Sequence, residues 1–99
     1  MVRQLRIYTI NKGRLNDFVE GWKKFVYPLH LKHGYTIPLA EVIEERNEFV
    51  WIVAYDGPED WETKQKAYYG SPERKAVDPD PARHIAKTER WFIKSVLDR

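Results

Sequence analysis

The chain contains no cysteine. Disulfides, zinc ribbons, iron–sulfur clusters and thiol catalysis are therefore excluded, and a reducing compartment suits it. Long apolar runs are also missing. The longest, Phe49 to Ala54, is far short of a membrane span. The opening Met1-Val-Arg-Gln-Leu-Arg6 alternates charge with apolar residues and carries no signal-peptide core, so the reading is cytoplasmic, with no membrane partner. No Asn-x-Ser/Thr sequon occurs. Charge of one sign is scarce too: 17 basic against 15 acidic residues leave +2, spread along the chain. That is a mixed solvated surface without a nucleic-acid footprint, so no nucleic-acid partner is expected. Phosphate-cradling glycine loops, dinucleotide fingerprints, nucleophile elbows and HExxH are all missing, which argues against phosphoryl transfer and nicotinamide chemistry. No metal and no cofactor are assigned.

Ninety-nine residues make one domain, taken as 1–99. Of these, 25 are Leu, Ile, Val or Phe, enough for a folded chain. The core is modest and leans on large rings. Val2 to Ile10 reads as a strand. From Arg14 to His33 the apolar residues Leu15, Phe18, Val19, Trp22, Phe25, Val26 and Leu29 form a helical stripe, closed by Gly34. Pro28 falls inside it and predicts a kink or local loosening. Gly21, about 90° off the stripe centre, is explained either by close approach of the second helix or by mere tolerance of glycine there.

Thr36 to Glu45 is a strand placed at an edge by Pro38, Arg46-Asn47 is a turn, and Glu48 to Tyr55 is the third strand. A second helix is expected from Gly57-Pro58-Glu59-Asp60 to about Tyr69, and a short one from Ser71-Pro72-Glu73. Asp78 to Pro81 is an extended linker, and Lys87 to Leu97 the last strand. The order is βαββαβ, an α+β ferredoxin-like plan with a four-stranded antiparallel sheet. In the third strand Phe49, Trp51, Val53 and Tyr55 share one parity, and Val50, Ile52 and Ala54 the other. Both faces are apolar, although two helices cover only one. A second copy packed sheet to sheet is the expected cover, which makes the chain its own partner in a homodimer.

Gln4-Leu-Arg-Ile-Tyr-Thr-Ile10, then Gly13-Arg-Leu15 and Phe18, resembles the opening of NIPSNAP-family domains. Tyr27-Pro-Leu29 with Lys32-His-Gly34, and Phe49 to Asp56, are similar to that family's helix end and third strand. The resemblance implies a dimeric α/β barrel. That superfamily also holds cofactor-free monooxygenases, haem-degrading enzymes and isomerases, whereas the NIPSNAP branch has no settled reaction.

Arg6 and Tyr8 share one strand face and are the first site candidates. Ile10 shares their parity and must meet Leu15 and Phe18 where the chain turns into the helix, which puts all three on the helix side. Arg6 there holds a carboxylate or enolate oxygen through its planar fork, and Tyr8 adds a hydroxyl. The competing reading is a structural ion pair of Arg6 with Glu41 or Glu89. His33, at the end of the apolar stripe, is the candidate general base, against a plain helix-end histidine. His30 lies on the flank, about 60° away. Trp51 and Tyr55, with Trp22 and Trp91, line an aromatic pocket or simply fill the core.

The candidate ligand set is Arg6, Tyr8, His33, Trp51 and Tyr55, with Arg6, Tyr8 and His33 the catalytic candidates. Two functions stay open. One is a small-molecule-binding domain, extending to a cofactor-independent oxygenase or isomerase on a carbonyl or phenolic compound. The other is a non-enzymatic interaction protein acting through its dimer surface. A ligand-sized cavity at Arg6, Tyr8 and His33 favours the first; a solid core with Arg6 paired to Glu favours the second.

Overall fold

The computed structural model describes residues 1–97. Four strands, β1 (Val2–Ile10), β2 (Thr36–Ile43), β3 (Glu48–Tyr55) and β4 (Ile85–Phe92), form one antiparallel sheet in the order β2-β3-β1-β4. β1 and β3 are therefore central, and Pro38 lies in an edge strand whose pairing with β3 shifts between Thr36 and Leu39. β2 stops at Ile43, where Glu44–Arg46 tighten into a 3₁₀ turn and Asn47 adopts φ 54°. β4 begins at Ile85, two residues before the expected start, and ends at Phe92, well short of Leu97.

One long helix, α1, connects β1 to β2. It has three contiguous pieces: Leu15–Gly21, a π turn Trp22–Val26, and Tyr27–Lys32. The loosening expected at Pro28 takes this form. Pro28 has no N–H for the Lys24 carbonyl, and its ring crowds that carbonyl. The helix widens instead, and the Tyr27 N–H donates to the Trp22 oxygen five residues back. Gly34 then ends the helix at φ +90°.

Helix α2 (Trp61–Gly70) starts later than its Pro58 suggested. Asp60 is its cap, accepting from the Thr63 N–H at 2.8 Å. The short helix α3 (Pro72–Lys75) is capped by Ser71. After Asp78–Pro79, which is cis, Asp80 caps the 3₁₀ turn Pro81–His84 that leads into β4.

The core lies between the sheet and the helices. It joins Tyr8, Phe18, Trp22, Phe49, Trp51, Tyr35 and Tyr68 through edge-to-face and tilted ring contacts, with Ile10 packed in the same cluster. Gly21 is explained by a different neighbour from the one expected. A Cβ there would lie 2.9 Å from the Cβ of Pro81, in the 3₁₀ turn and not on α2. Proline cannot swing away. Gly21→Ala is therefore expected to cost about 1–3 kcal/mol by overpacking, outweighing a helix-propensity gain of about 1 kcal/mol. Urea unfolding measures this, and a variant more stable than the parent would contradict it.

Candidate functional site

Side chains of β1 alternate, and Gln4, Arg6, Tyr8 and Ile10 are the buried set. They face the helices. Pairing extends this face into rows: Trp51, Arg6 and Arg90 lie side by side across β3, β1 and β4, and Phe49, Tyr8 and Thr88 form the next row. On the outer face, Leu39, Ile52, Leu5 and Trp91 make an apolar row across all four strands.

Arg6 is 0% exposed. Its Nε donates to Gln4 Oε1 at 2.8 Å, Nη2 to Gln65 Oε1 at 2.8 Å, and Nη1 to the Tyr69 hydroxyl at 3.2 Å. The guanidinium carbon lies 5.1 Å from the Trp51 ring centroid. Among the described residues it has no carboxylate partner. Glu41 pairs with Val50, and Glu89 with Ile7, so both belong to the outer-face parity. The sheet separates them from Arg6, and the ion-pair reading fails for that reason.

The π turn decides which histidine enters the core. At uniform helical pitch His33 follows the stripe and His30 flanks it. The widened turn adds one residue, so Trp22, Val26 and His30, four apart, become the buried line. His33, with 19% of its side chain exposed, bonds Glu73 on α3 through Nε2 at 3.1 Å. It does not join Arg6 and Tyr8. His30, 1% exposed, donates Nδ1–H to the Val26 carbonyl at 2.9 Å. Among the described residues its Nε2 has no hydrogen-bond partner, nor do Trp22 Nε1, Trp51 Nε1 and the Tyr68 hydroxyl. Tyr68, Trp51 and Tyr35 surround the imidazole, with ring centroids at 4.2, 5.1 and 5.2 Å.

Burial lowers the His30 pKa from 6.5 to about 3; the Val26 bond opposes this and Arg6 and Arg74 add to it. The ring is neutral at pH 7, with its Nε2 lone pair turned into an aromatic enclosure. Burial likewise raises the hydroxyls of Tyr8, Tyr68 and Tyr35, the last to about 12. All three remain protonated and able to donate.

The pH consequence has a definite sign. Between about pH 6.5 and pH 3 the unfolded chain holds a His30 proton that the folded chain does not. Stability therefore falls on acidification through that window, by about 1.4 kcal/mol per pH unit at full slope. Denaturant titrations at pH 7 and pH 5 should show a loss of roughly 2 kcal/mol, much reduced in His30→Gln. Equal losses in both proteins would contradict the assignment.

His30, Trp22, Trp51, Tyr8 and Tyr69 line a cavity of about 40 Å³ whose walls also include Arg74 and Asp80. Those two groups pair through bonds of 3.0 and 3.3 Å. The volume holds a few water molecules and is not ligand-sized. Tyr69 also forms a wall of a wider groove of about 430 Å³ between α2 and β4, lined by Trp61, Gln65, Lys66, Arg90 and Phe92. Tyr55 lines neither space; its hydroxyl accepts from the Glu59 N–H at 3.4 Å.

Of the five sequence candidates, Arg6, Tyr8 and Trp51 thus come together, while His33 and Tyr55 lie elsewhere. Sequence reasoning missed His30, Gln65, Tyr69 and Arg90. The signal for His30 was present in Pro28 and in the four-residue spacing Trp22, Val26, His30. Arg90 becomes visible only once β4 is registered against β1.

Comparison with solved structures fits this geometry. A NIPSNAP domain protein from Burkholderia xenovorans superposes with a TM-score of 0.82 at 16% identity, covering 96% of this chain and 94% of the other. The fold is that of the NIPSNAP domain proteins. A NIPSNAP family protein from Agrobacterium tumefaciens gives 0.82 at 13% identity, over 94% and 90% of the two chains. The NIPSNAP fold extends to a putative antibiotic biosynthesis monooxygenase from Bordetella bronchiseptica, with a TM-score of 0.74, 17% identity and 97% of each chain covered. No family model matches the sequence, and no curated protein is significantly similar to it. Among the described residues no helix is long and apolar enough to cross a membrane, and no three His, Asp or Glu groups cluster as metal ligands.

Proposed function

We propose that the chain is a NIPSNAP-family, homodimeric small-molecule-binding domain, with a site in each subunit for a planar carbonyl or phenolic compound. The observation that carries this reading is Arg6: a guanidinium fully buried beside His30 and Trp51 with no carboxylate among the described residues. Burial of an unpaired charge is costly, and four further buried polar atoms of the core lack partners among the described residues. A ligand hydroxyl donating to His30 Nε2, and ligand oxygens accepting from Trp22 and Trp51 N–H, would satisfy three of the four. Tyr69 is the wall shared by the small cavity and the groove, and its rotation would join them.

Proton transfer from an enolisable or phenolic ligand to Nε2 is the chemistry this arrangement offers. Return of that proton at another carbon would be an isomerisation. The low His30 pKa makes protonation of Nε2 roughly 5 kcal/mol harder than in a free imidazole, so the resting site favours binding the neutral O–H over removing its proton. A bound anion near Arg6 would reduce that preference.

Two experiments test the reading. Tryptophan fluorescence should respond to 4-ethylphenol and lose that response in His30→Phe; no response in the wild type would overturn it. Light scattering at micromolar concentration should give twice 11.9 kDa. The apolar row Leu39, Ile52, Leu5 and Trp91, with Trp91 58% exposed, supports the dimer. Val50→Lys, in the neighbouring row, should shift the protein to monomer. A wild-type monomer would contradict the dimer.

A further inference from the structure

The groove between α2 and β4 has unusual charge at its rim and behind it. Arg6 and Arg90 are direct cross-strand partners on the same face of β1 and β4. Like charges placed opposite each other in a sheet repel, and neither makes an ion pair among the described residues. Lys66 adds a third cation at the rim, and Glu62 is the only acidic residue lining the groove. The two groups that take the Nη1 and Nη2 protons of Arg6 are neutral: the Tyr69 hydroxyl and the Gln65 amide oxygen. Both line the groove. They stand where a carboxylate would receive the same two donors as a bidentate pair. Beside them Trp61 and Phe92 meet edge to face at 5.9 Å, and Phe92 is largely exposed. Arg6 itself is fully buried and does not line the groove; it lies directly behind Gln65 and Tyr69, so an aromatic wall, a rim of Arg90 and Lys66 and a cation one side chain deeper together describe one kind of guest.

We infer that this groove binds a small aromatic monocarboxylate, whose carboxylate displaces Gln65 and Tyr69 from Arg6 and whose ring lies against Trp61 and Phe92. Arg90 attracts the anion and shares its charge. The displaced Gln65 keeps its other bond, from Nε2 to the Tyr35 hydroxyl at 2.7 Å, so it has a position to return to. The inference rests on the proposed ligand-binding reading and names its ligand class. It assigns Gln65 and Tyr69 as stand-ins for the ligand.

The probe is 3-phenylpropanoate, with neutral 3-phenylpropanamide as control, titrated into the full-length protein by calorimetry. The carboxylate should bind and the amide should not. Arg6→Met should weaken binding roughly 10–100-fold, as loss of a charged hydrogen-bonded partner implies. Arg90→Gln, a surface change that leaves the core untouched, should weaken it several-fold. Gln65→Ala should tighten it, because a competitor for Arg6 is removed. Equal binding of carboxylate and amide, or Arg6→Met and Arg90→Gln both binding like the wild type, would overturn the proposal. If 4-ethylphenol binds and 3-phenylpropanoate does not, this inference fails and the broader reading stands. If neither binds, both fail.

Discussion

Trp51→Ala should destabilise the protein by about 3–5 kcal/mol, the range for truncating a large buried ring. Trp51 is 1% exposed and sits at the crossing of the ring network, against Tyr8, Trp22, His30 and Phe49. It also covers the face of the Arg6 guanidinium. Its removal leaves a cavity and strips a buried cation of its lid. For a domain of this size each kcal/mol shifts Tm by about 4–8 °C, so the variant should melt well over 10 °C lower. A shift of only a few degrees would show that the rings around Trp51 collapse into its space, and that this part of the core is not rigidly packed.

Arg6→Met should leave the ligand-free protein as stable as the parent or more stable. Breaking a buried ion pair costs about 3–5 kcal/mol because the surviving charge is stranded, whereas a buried charge with no opposite partner has no ion pair to offset its desolvation cost, which an apolar chain of similar volume removes. Here no carboxylate among the described residues is left behind. Gln65 and Tyr69 line the open groove, where water can reach them. Only Gln4, itself buried, loses a donor without access to water, at about 1 kcal/mol. The same substitution should weaken carboxylate binding roughly 10–100-fold. Higher stability with weakened binding is the pattern of a functional charge held at the expense of the fold. A loss near 4 kcal/mol on thermal or chemical melting would reveal a structural role for Arg6.

Much of the fold was legible because its signals are local. The boundaries of β1 and β3, the helix end at Gly34 and the left-handed Asn47 follow from alternation, periodicity and turn chemistry. The helix-side position of Arg6 followed from Ile10 having to meet the start of α1. The site was less legible for one main reason. Projection at uniform pitch assigned the inward position to His33, and the widened turn gave it to His30. Pro28 announced a disturbance but not its size. The remaining groups, Gln65, Tyr69 and Arg90, belong to α2 and β4, and only tertiary pairing brings them to Arg6. A helix start read at Pro58 also misplaced α2, because Asp60 caps it two residues later.

Native mass spectrometry of the wild-type protein and Arg6→Met, purified side by side, tests the central claim that the buried guanidinium marks an anion-binding site in each subunit of a dimer. The wild type should appear at twice 11.9 kDa with a small-molecule adduct that is released on denaturation. Arg6→Met should appear as the same dimer without the adduct. Bare spectra identical for the two proteins would contradict the account.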